Sequence, residues 1–139
     1  MSRGLLDTGV LIARSRIGPE SLPRQAAITA ITLGELAVGV HAVAGSNPAA
    51  VLERANRTLI LQQVENEFDP IAYGPEAARM FGALSAAVFA AGRKPRGRSL
   101  DLMIAATAAV EGLPLYTTNP RDFAGIEPLV EIIPVVQAS

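Results

Sequence analysis

The sequence predicts an α/β fold in which helices cover a parallel sheet. Short apolar runs alternate with longer segments of helical composition, as expected when each strand is followed by a helix. The 139 residues have the usual size of one domain, and no repeat, linker or low-complexity tail divides them. We therefore expect a single domain over residues 1–139.

The first part of the chain contains two predicted strands, each leading into a helix. Residues 4–6 form a short apolar strand and residues 8–13 a helix, so Asp7 lies at their junction. Residues 26–31 have strand character, and Thr32 is suited to cap the helix that follows. The same alternation continues along the rest of the chain.

The middle of the chain is predicted to contain two longer helices with a third strand between them. Asn47 is a good N-cap and Pro48 fits the first helical position, so a helix begins there and runs to about residue 63. Residues 67–72 are the predicted third strand. An alanine-rich helix follows over residues 75–91, where a glycine ends it.

A basic loop, residues 93–98, precedes the last elements. Ser99 is predicted to cap a helix over residues 100–111. Residues 113–117 then form a fourth strand, and residues 130–135 a last extended piece.

The composition limits the chemistry available to the chain. There is no cysteine and His41 is the only histidine, which excludes disulfides, thiolate metal sites and paired-imidazole catalysis within one chain. The net charge is −1, so any polyanion must be held locally. No apolar run approaches the roughly 18 residues of a membrane span, and the pattern of a secretory signal is missing. These features predict a cytoplasmic protein.

Four acidic residues are candidates for one functional site: Asp7, Glu35, Asp101 and Asp122. Each follows a predicted strand or lies in the first turn of a helix, and the carboxyl ends of parallel strands meet at one edge of a sheet. Taken singly, Glu35 could form a capping box with Thr32, Asp101 could complement the helix dipole, and Asp122 could be an ordinary turn residue. Asp7 is flanked by apolar residues, where an unpaired charge is costly to bury.

A group of carboxylates without a basic partner repels itself unless it is protonated or bridged by a hard cation. Oxygen ligands favour Mg²⁺, with Mn²⁺ as a substitute. One or two such ions can activate water and stabilise the attacking and leaving oxygens of phosphodiester hydrolysis. This chemistry needs neither histidine nor cysteine, and it predicts a metal-dependent nuclease.

Four short motifs resemble those of the PIN domain family, in particular the VapC-type toxins of bacterial toxin–antitoxin pairs. They are LLDTGVLIA at residues 5–13, TLGEL with a following glycine at 32–39, SLDLMIAA at 99–106 and TTNPRDF at 117–123. Each motif is degenerate, but all four occur in order at compatible spacings. Gly9 departs from the family, which often has serine or asparagine there. The resemblance implies a three-layer α/β/α sandwich whose central, mainly parallel sheet has four or five strands.

The resemblance implies a Mg²⁺-dependent endoribonuclease. Asp7 and Asp101 would be direct metal ligands, and Glu35 a direct or water-mediated one. Asp122 would complete a second metal position or orient the attacking water. The implied supporting residues are Thr8, Thr117 and Asn119.

The implied partners are an RNA substrate, a cognate antitoxin that covers the acidic cleft, and a second copy of the chain. Small-residue helices build the homodimer in this family. In the alanine-rich helix, the apolar residues at helical spacing predict core packing; they are Phe81, Leu84, Val88 and Phe89.

The basic loop supplies candidate RNA-binding residues directly before Asp101. They are Arg93, Lys94, Arg96 and Arg98. For any one of them, an ordinary solvated loop residue is an equally good interpretation.

Two alternative functions follow from the same residues. Asp7-Thr8-Gly9 resembles the signature of a retroviral-type aspartic protease, but those proteases are nearly all β-structure and this chain is rich in helical segments. Sensitivity to a chelator, without sensitivity to a statine-type inhibitor, would favour the nuclease. The second alternative is a non-catalytic interaction module of the same fold, in which the acids only cap helices.

Overall fold

The computed structural model of the chain describes residues 2–94 and 97–137. Within these ranges, the sheet is formed by four strands: β1 (Arg3–Leu6), β2 (Gln25–Ala27), β3 (Leu115–Thr117) and β4 (Ile132–Pro134). All strand pairs are parallel, and the order across the sheet is β2-β1-β3-β4. The first and third strands are central, with Leu5 beside Leu115 and Leu6 beside Tyr116.

In the part of the chain that the structure describes, five α-helices lie between β1 and β3, because a parallel neighbour is reached only by a long crossover. They are α1 (Thr8–Ile12), α2 (Ala30–His41), α3 (Pro48–Glu67), α4 (Pro75–Ala90) and α5 (Ser99–Glu111). A 3₁₀ turn and a loop connect β3 to β4. The main helix–helix packing pairs α2 with α3 and α4 with α5. Together with the sheet, these helices establish the predicted α/β fold.

The helices form a layer on each face of the sheet, because neighbouring side chains on a strand point to opposite faces. Leu5 and Leu115 belong to one apolar core, which includes Leu84 of α4 and much of α5. Leu6 and Tyr116 belong to a second core with residues of α1, α2 and α3. The resulting three-layer α/β/α sandwich with a four-stranded sheet confirms the predicted architecture.

The second strand is shorter than predicted, and the following helix begins earlier. Strand β2 ends at Ala27, and Thr29 is the N-cap of α2, with its hydroxyl accepting a hydrogen bond from the Thr32 amide at 3.1 Å. The assignment of Thr32 as the cap was therefore wrong. Thr29 is the cap because its backbone is extended, which places its hydroxyl near the free amides of the first turn.

The predicted third strand over residues 67–72 does not form. Helix α3 continues to Glu67, and only Ile71 makes a parallel bridge, with Thr29 at the edge of the sheet. Ile71 donates to the Ile28 carbonyl, and its own carbonyl accepts from Ala30. Pro70 precedes the bridge and has no amide hydrogen, so the pairing does not extend.

Two details of α4 and α5 also differ from expectation. Leu84 and Val88 lie in the core as predicted, and Phe81 packs against it, but the Phe89 side chain is 64% exposed. Ser99 is the first residue of α5, and its N-cap, Arg98, makes no side-chain capping bond. The expected serine cap was wrong because the helix begins one residue earlier.

In residues 2–94 and 97–137, no helix has both the length and the apolar character needed to cross a membrane.

Candidate active site

Asp7 lies at the carboxyl end of the central strand β1 and is almost completely buried. It is the N-cap of α1, where its Oδ1 accepts from the Thr8 amide at 2.9 Å. Its Oδ2 accepts from the Thr117 hydroxyl at 2.8 Å, from the end of β3. Burial raises the pKa of Asp7, and these two hydrogen bonds partly offset the increase. Asp7 is thus held in one orientation from two strands.

Glu35 lies in the second turn of α2, and hydrogen-bonded threonines lead to it. The Thr8 hydroxyl donates to Glu35 Oε1 at 2.7 Å and lies 2.9 Å from the Thr32 hydroxyl. Since Thr8 uses its single hydrogen on Glu35, Thr32 is the donor to Thr8. Thr29 in turn donates to Thr32 at 3.5 Å. Glu35 therefore does not form the predicted capping box with Thr32.

Asp101 lies in the first turn of α5, as predicted. It borders a cleft of about 430 Å³, together with Glu35, Gly97, Ser99 and Leu100. Its pKa is raised to about 6, first by burial and then by the charges of the other three acids. Each of those carboxylates is therefore close enough to repel Asp101, although Glu35 and Asp101 come from different helices.

Asp122 lies in a short 3₁₀ turn, Pro120–Phe123, that follows β3. Its Oδ1 forms an ion pair with the guanidinium of Arg98, the residue before α5. Its charge also contributes to the raised pKa values of Asp7 and Asp101. The structure thus brings Asp122 to the other three acids, but with a cation from the chain already paired to it.

The four acids form an electrostatically coupled cluster, but their side chains do not converge on one point. Across the described ranges, no group of three or more acidic or histidine side chains is arranged to hold a metal ion directly. Asp7 and Glu35 point to threonine hydroxyls, and Asp122 points to Arg98. Direct coordination by three of them would require side-chain rotation toward a common centre.

The supporting residues predicted from the sequence contact the site in different ways. Thr8 and Thr117 bond to Glu35 and Asp7, respectively. The Asn119 amide donates to Thr117 at 3.0 Å, while its side chain donates to Thr118 at 3.4 Å. Asn119 therefore supports the site through its backbone.

The basic loop is partly used to hold the 3₁₀ turn. Arg93 donates to the carbonyl of Arg121 at 2.9 Å, and Arg98 pairs with Asp122. Lys94 is exposed. Arg96, also predicted to bind RNA, lies outside the described residues. RNA contact by these residues stays a prediction.

Two features of the site were missed from the sequence. One is the role of Thr29 and Thr32 behind Glu35, for which the threonine-rich start of α2 was a signal. The other is the Arg98–Asp122 pair, which joins residues from two separate motifs. No local pattern specifies that pairing, because it arises only when the 3₁₀ turn packs beside α5.

The fold and site define a class of protein: an α/β/α domain with an acidic cluster at the carboxyl edge of a parallel sheet. The model of the PIN domain family matches residues 5–127, so the chain belongs to the PIN domain family. The matched region contains all four acids.

The chain is similar to named relatives over nearly its full length. It is 37% identical over 137 residues to Ribonuclease VapC5 of Mycobacterium tuberculosis, covering 95% of both chains. It is 31% identical over 136 residues to Ribonuclease VapC4 of the same organism, covering 96% of this chain and 97% of the relative.

A solved structure supports the same relationship. The crystal structure of VapBC-5 from M. tuberculosis, a member of the VapBC family of toxin–antitoxin systems, matches with a TM-score of 0.81 and 36% identity. The match covers 97% of this chain and 100% of that one.

Proposed function

We propose that this protein is a Mg²⁺-dependent endoribonuclease of the VapC type, the toxin of a toxin–antitoxin pair. The observation that carries the proposal is the placement of four carboxylates at one edge of the sheet, where burial first, and then repulsion from the other three acids, raises the pKa of Asp101 to about 6. A hard cation would remove that repulsion. The full-length similarity to proteins named ribonucleases supports RNA as the substrate.

The donor set fits Mg²⁺, with Mn²⁺ as a substitute, because every candidate ligand is a carboxylate oxygen. Asp7, Glu35 and Asp101 would hold the ion. When bound, Mg²⁺ supplies Lewis acidity that favours deprotonation of water and offsets charge at the scissile phosphate.

The threonines of this chain orient the carboxylates for that role. Thr117 and the Thr8 amide fix Asp7 from opposite sides, and both bonds favour its ionised form. The Thr8 hydroxyl similarly holds one oxygen of Glu35 and leaves the other available. These donors hold the two carboxylates in fixed orientations, and direct coordination of a cation by Asp7, Glu35 and Asp101 together would still require side-chain rotation.

The cleft beside Asp101 is where we place the RNA phosphate. It opens between α2 and the start of α5, next to the basic loop. Lys94 of the basic loop is exposed, and a lysine contacts a phosphate as a point charge. Arg93 and Arg98 are tied to the 3₁₀ turn, although each guanidinium has further N–H groups for an RNA oxygen.

This chain has a groove beside the acids that suits the proposed antitoxin. A groove of about 420 Å³ runs along Glu35 and is lined by the apolar residues Ile12, Leu36 and Ile60. A segment with apolar and basic side chains would complement it. The proposal also includes a cytoplasmic location, since a VapC-type toxin acts on cellular RNA. It further includes a homodimer.

The fold gives little support to the aspartic-protease alternative. Asp7 caps a helix after a buried parallel strand, and its partners are threonines of the same chain. The interaction-module alternative differs in its predicted behaviour, because a module needs no metal and would keep its partner affinity when Asp101 is replaced by asparagine.

The test is cleavage of total RNA by the purified protein with Mg²⁺, with Mn²⁺ or with EDTA. We expect cleavage only with metal, and a loss of about 100-fold or more for Asp101→Asn and Asp7→Asn. Glu111→Gln is the matched control, because it removes a carboxylate from the exposed far end of the same helix, α5. Cleavage that survives EDTA, or no cleavage under any condition, would contradict the proposal. Mapping the cut ends would then identify the target RNA.

A further inference from the structure

The fourth acid of the cluster is the one that a cation of the chain already neutralises. Arg98 and Asp122 form an ion pair in which both side chains are partly shielded, with 40% and 29% of their surfaces exposed. Asp7 and Glu35 receive hydrogen bonds from hydroxyls or an amide, whereas Asp101 lies beyond ion-pair distance of Arg98 and is only partly offset by its charge. Asp122 thus differs in kind from Asp7, Glu35 and Asp101.

The backbone around Arg98 is arranged to keep this pair in place. Gly97 has a φ of +84°, a conformation that favours glycine, and it turns the chain into α5. Arg98 is the N-cap of that helix, and its carbonyl accepts from Leu102 at 3.0 Å. Its side chain makes no capping bond and extends to Asp122 instead.

A second arginine holds the same turn from the other end of the basic loop. Arg93 donates to the carbonyl of Arg121, the neighbour of Asp122, at 2.9 Å. The Arg93 amide itself is bonded to Val88 at the end of α4. The 3₁₀ turn is therefore fastened to both helices that flank the loop, and Asp122 is less free to turn toward the other acids.

We propose that Arg98 is the resident counter-ion of Asp122, so that the site binds one divalent cation through Asp7, Glu35 and Asp101 and has no second metal position. A second cation at Asp122 would lie against a guanidinium, which cannot lose its charge at physiological pH. The inference rests on the proposed function, because it assumes that the other three acids bind metal.

The experiment counts Mn²⁺ ions bound per chain, by calorimetric titration and by the electron paramagnetic resonance of free Mn²⁺. We expect one ion for the wild type. Arg98→Gln should bind a second ion, because Asp122 becomes an available ligand. Tighter binding of the first ion without a second one would overturn the inference, because the loss of the Arg98 charge near Asp101 alone explains it. Arg98→Lys keeps the positive charge and should behave as the wild type. Arg24→Gln is the control, since Arg24 is exposed and lies just before β2, at the opposite edge of the sheet.

A second variant tests the same inference without removing the arginine. Asp122→Asn should still bind one Mn²⁺, with an affinity within about threefold of the wild type, because Asp122 is not a ligand. Loss of the ion in this variant would overturn the inference.

The other outcomes separate the inference from the proposed function. Two Mn²⁺ ions on the wild type, or an unchanged count in Arg98→Gln, would overturn the inference alone. No Mn²⁺ on the wild type would overturn the proposed metal-dependent function, and the inference with it.

Discussion

Asp7 combines deep burial with a charge, and its hydrogen bonds make that combination possible. Its residue surface is 7% exposed, and it accepts from Thr8 and Thr117 on its two oxygens. A buried carboxylate without such donors would take up a proton and lose its value as a metal ligand. Thr117 therefore favours the ionised form of Asp7, the form that can bind a metal ion.

We expect Thr117→Val to weaken both stability and metal binding. The substitution keeps the side-chain shape but removes the donor to Asp7, so the free energy of unfolding should fall by about 1–3 kcal/mol. Mn²⁺ affinity should fall about tenfold, measured by titration calorimetry. Thr107→Val is the control, since Thr107 is equally buried but bonds only to a carbonyl of its own helix. Equal Mn²⁺ affinities in the two variants would contradict this role.

The raised pKa of Asp101 predicts how the stability of the metal-free protein changes with pH. The folded protein holds a proton to about pH 6, whereas the unfolded chain releases it near pH 4. The stability is therefore highest below about pH 4 with respect to this group, and it decreases as the pH rises through 6. The raised pKa of Asp7 acts in the same direction.

We expect the melting temperature in EDTA to be lower at about pH 7.5 than at about pH 5. The decrease should be smaller for Asp101→Asn, which has no charge to repel, and Mg²⁺ should restore the wild type at the higher pH. Scanning fluorimetry at both pH values checks this. A decrease of the same size in Asp101→Asn would show that another group is responsible.

At the scale of elements, the start of α2 has two roles. Thr29 caps the helix, and the same hydroxyl is the first of three that lead through Thr32 and Thr8 to Glu35. The position of Glu35 is therefore coupled to the stability of the helix that carries it.

We expect Thr29→Ala to reduce stability and also to weaken Mn²⁺ binding. Loss of the cap should cost about 1 kcal/mol in chemical denaturation. Asn47→Ala is a matched control, because Asn47 caps α3 with a comparable bond and lies outside the acidic cluster. Both variants should lose similar stability, and only Thr29→Ala should lose Mn²⁺ affinity. A loss of affinity in both would mean that general loosening is the cause.

The elements differ in how well the sequence predicts them. Helices α4 and α5 have long alanine-rich segments with clear ends, and β1 is a short apolar run before an acid, so local patterns locate them. Residues 67–72 mix apolar and acidic side chains, and whether they pair depends on the edge of the sheet and on Pro70. Which of the two nearby threonines caps α2 depends on their backbone angles, and the sequence does not show those angles.

At the scale of the whole molecule, the net charge is close to zero, so the proposed RNA binding would depend on the positive charges close to the cleft. With a net charge of −1, the chain has no general attraction for a polyanion, and its acidic cluster repels one. In the proposed function, the basic loop and a bound Mg²⁺ would together have to outweigh that repulsion at the cleft.

We expect Lys94→Gln to weaken binding of a short RNA modestly at low salt. The slope of log affinity against log salt should fall by about one unit, as expected for the loss of one phosphate contact. Fluorescence anisotropy over a salt series measures it, with Arg24→Gln as the control at the opposite edge. An unchanged slope would place Lys94 outside the RNA path.

The four acids could be predicted from the sequence because the fold places strand ends together, and each acid follows a strand or begins a helix. The family motifs also implied Thr8 and Thr117 as supporting residues, but not which acid each one contacts. Thr117 reaches Asp7 only because β3 pairs with β1, and Arg98 reaches Asp122 only through tertiary packing. Periodicity and caps are local properties, whereas the hydrogen bonds of this site join distant parts of the chain.

The bond between Thr117 and Asp7 joins residues 110 positions apart, across the two central strands. During synthesis, the donor that orients Asp7 is therefore made after Asp7, Glu35 and Asp101. Pairing over such a separation costs loop-closure entropy and is slow to form. A chain that ends before β3 would contain the three proposed ligands but not the hydroxyl that orients Asp7, so we expect it to bind Mn²⁺ weakly.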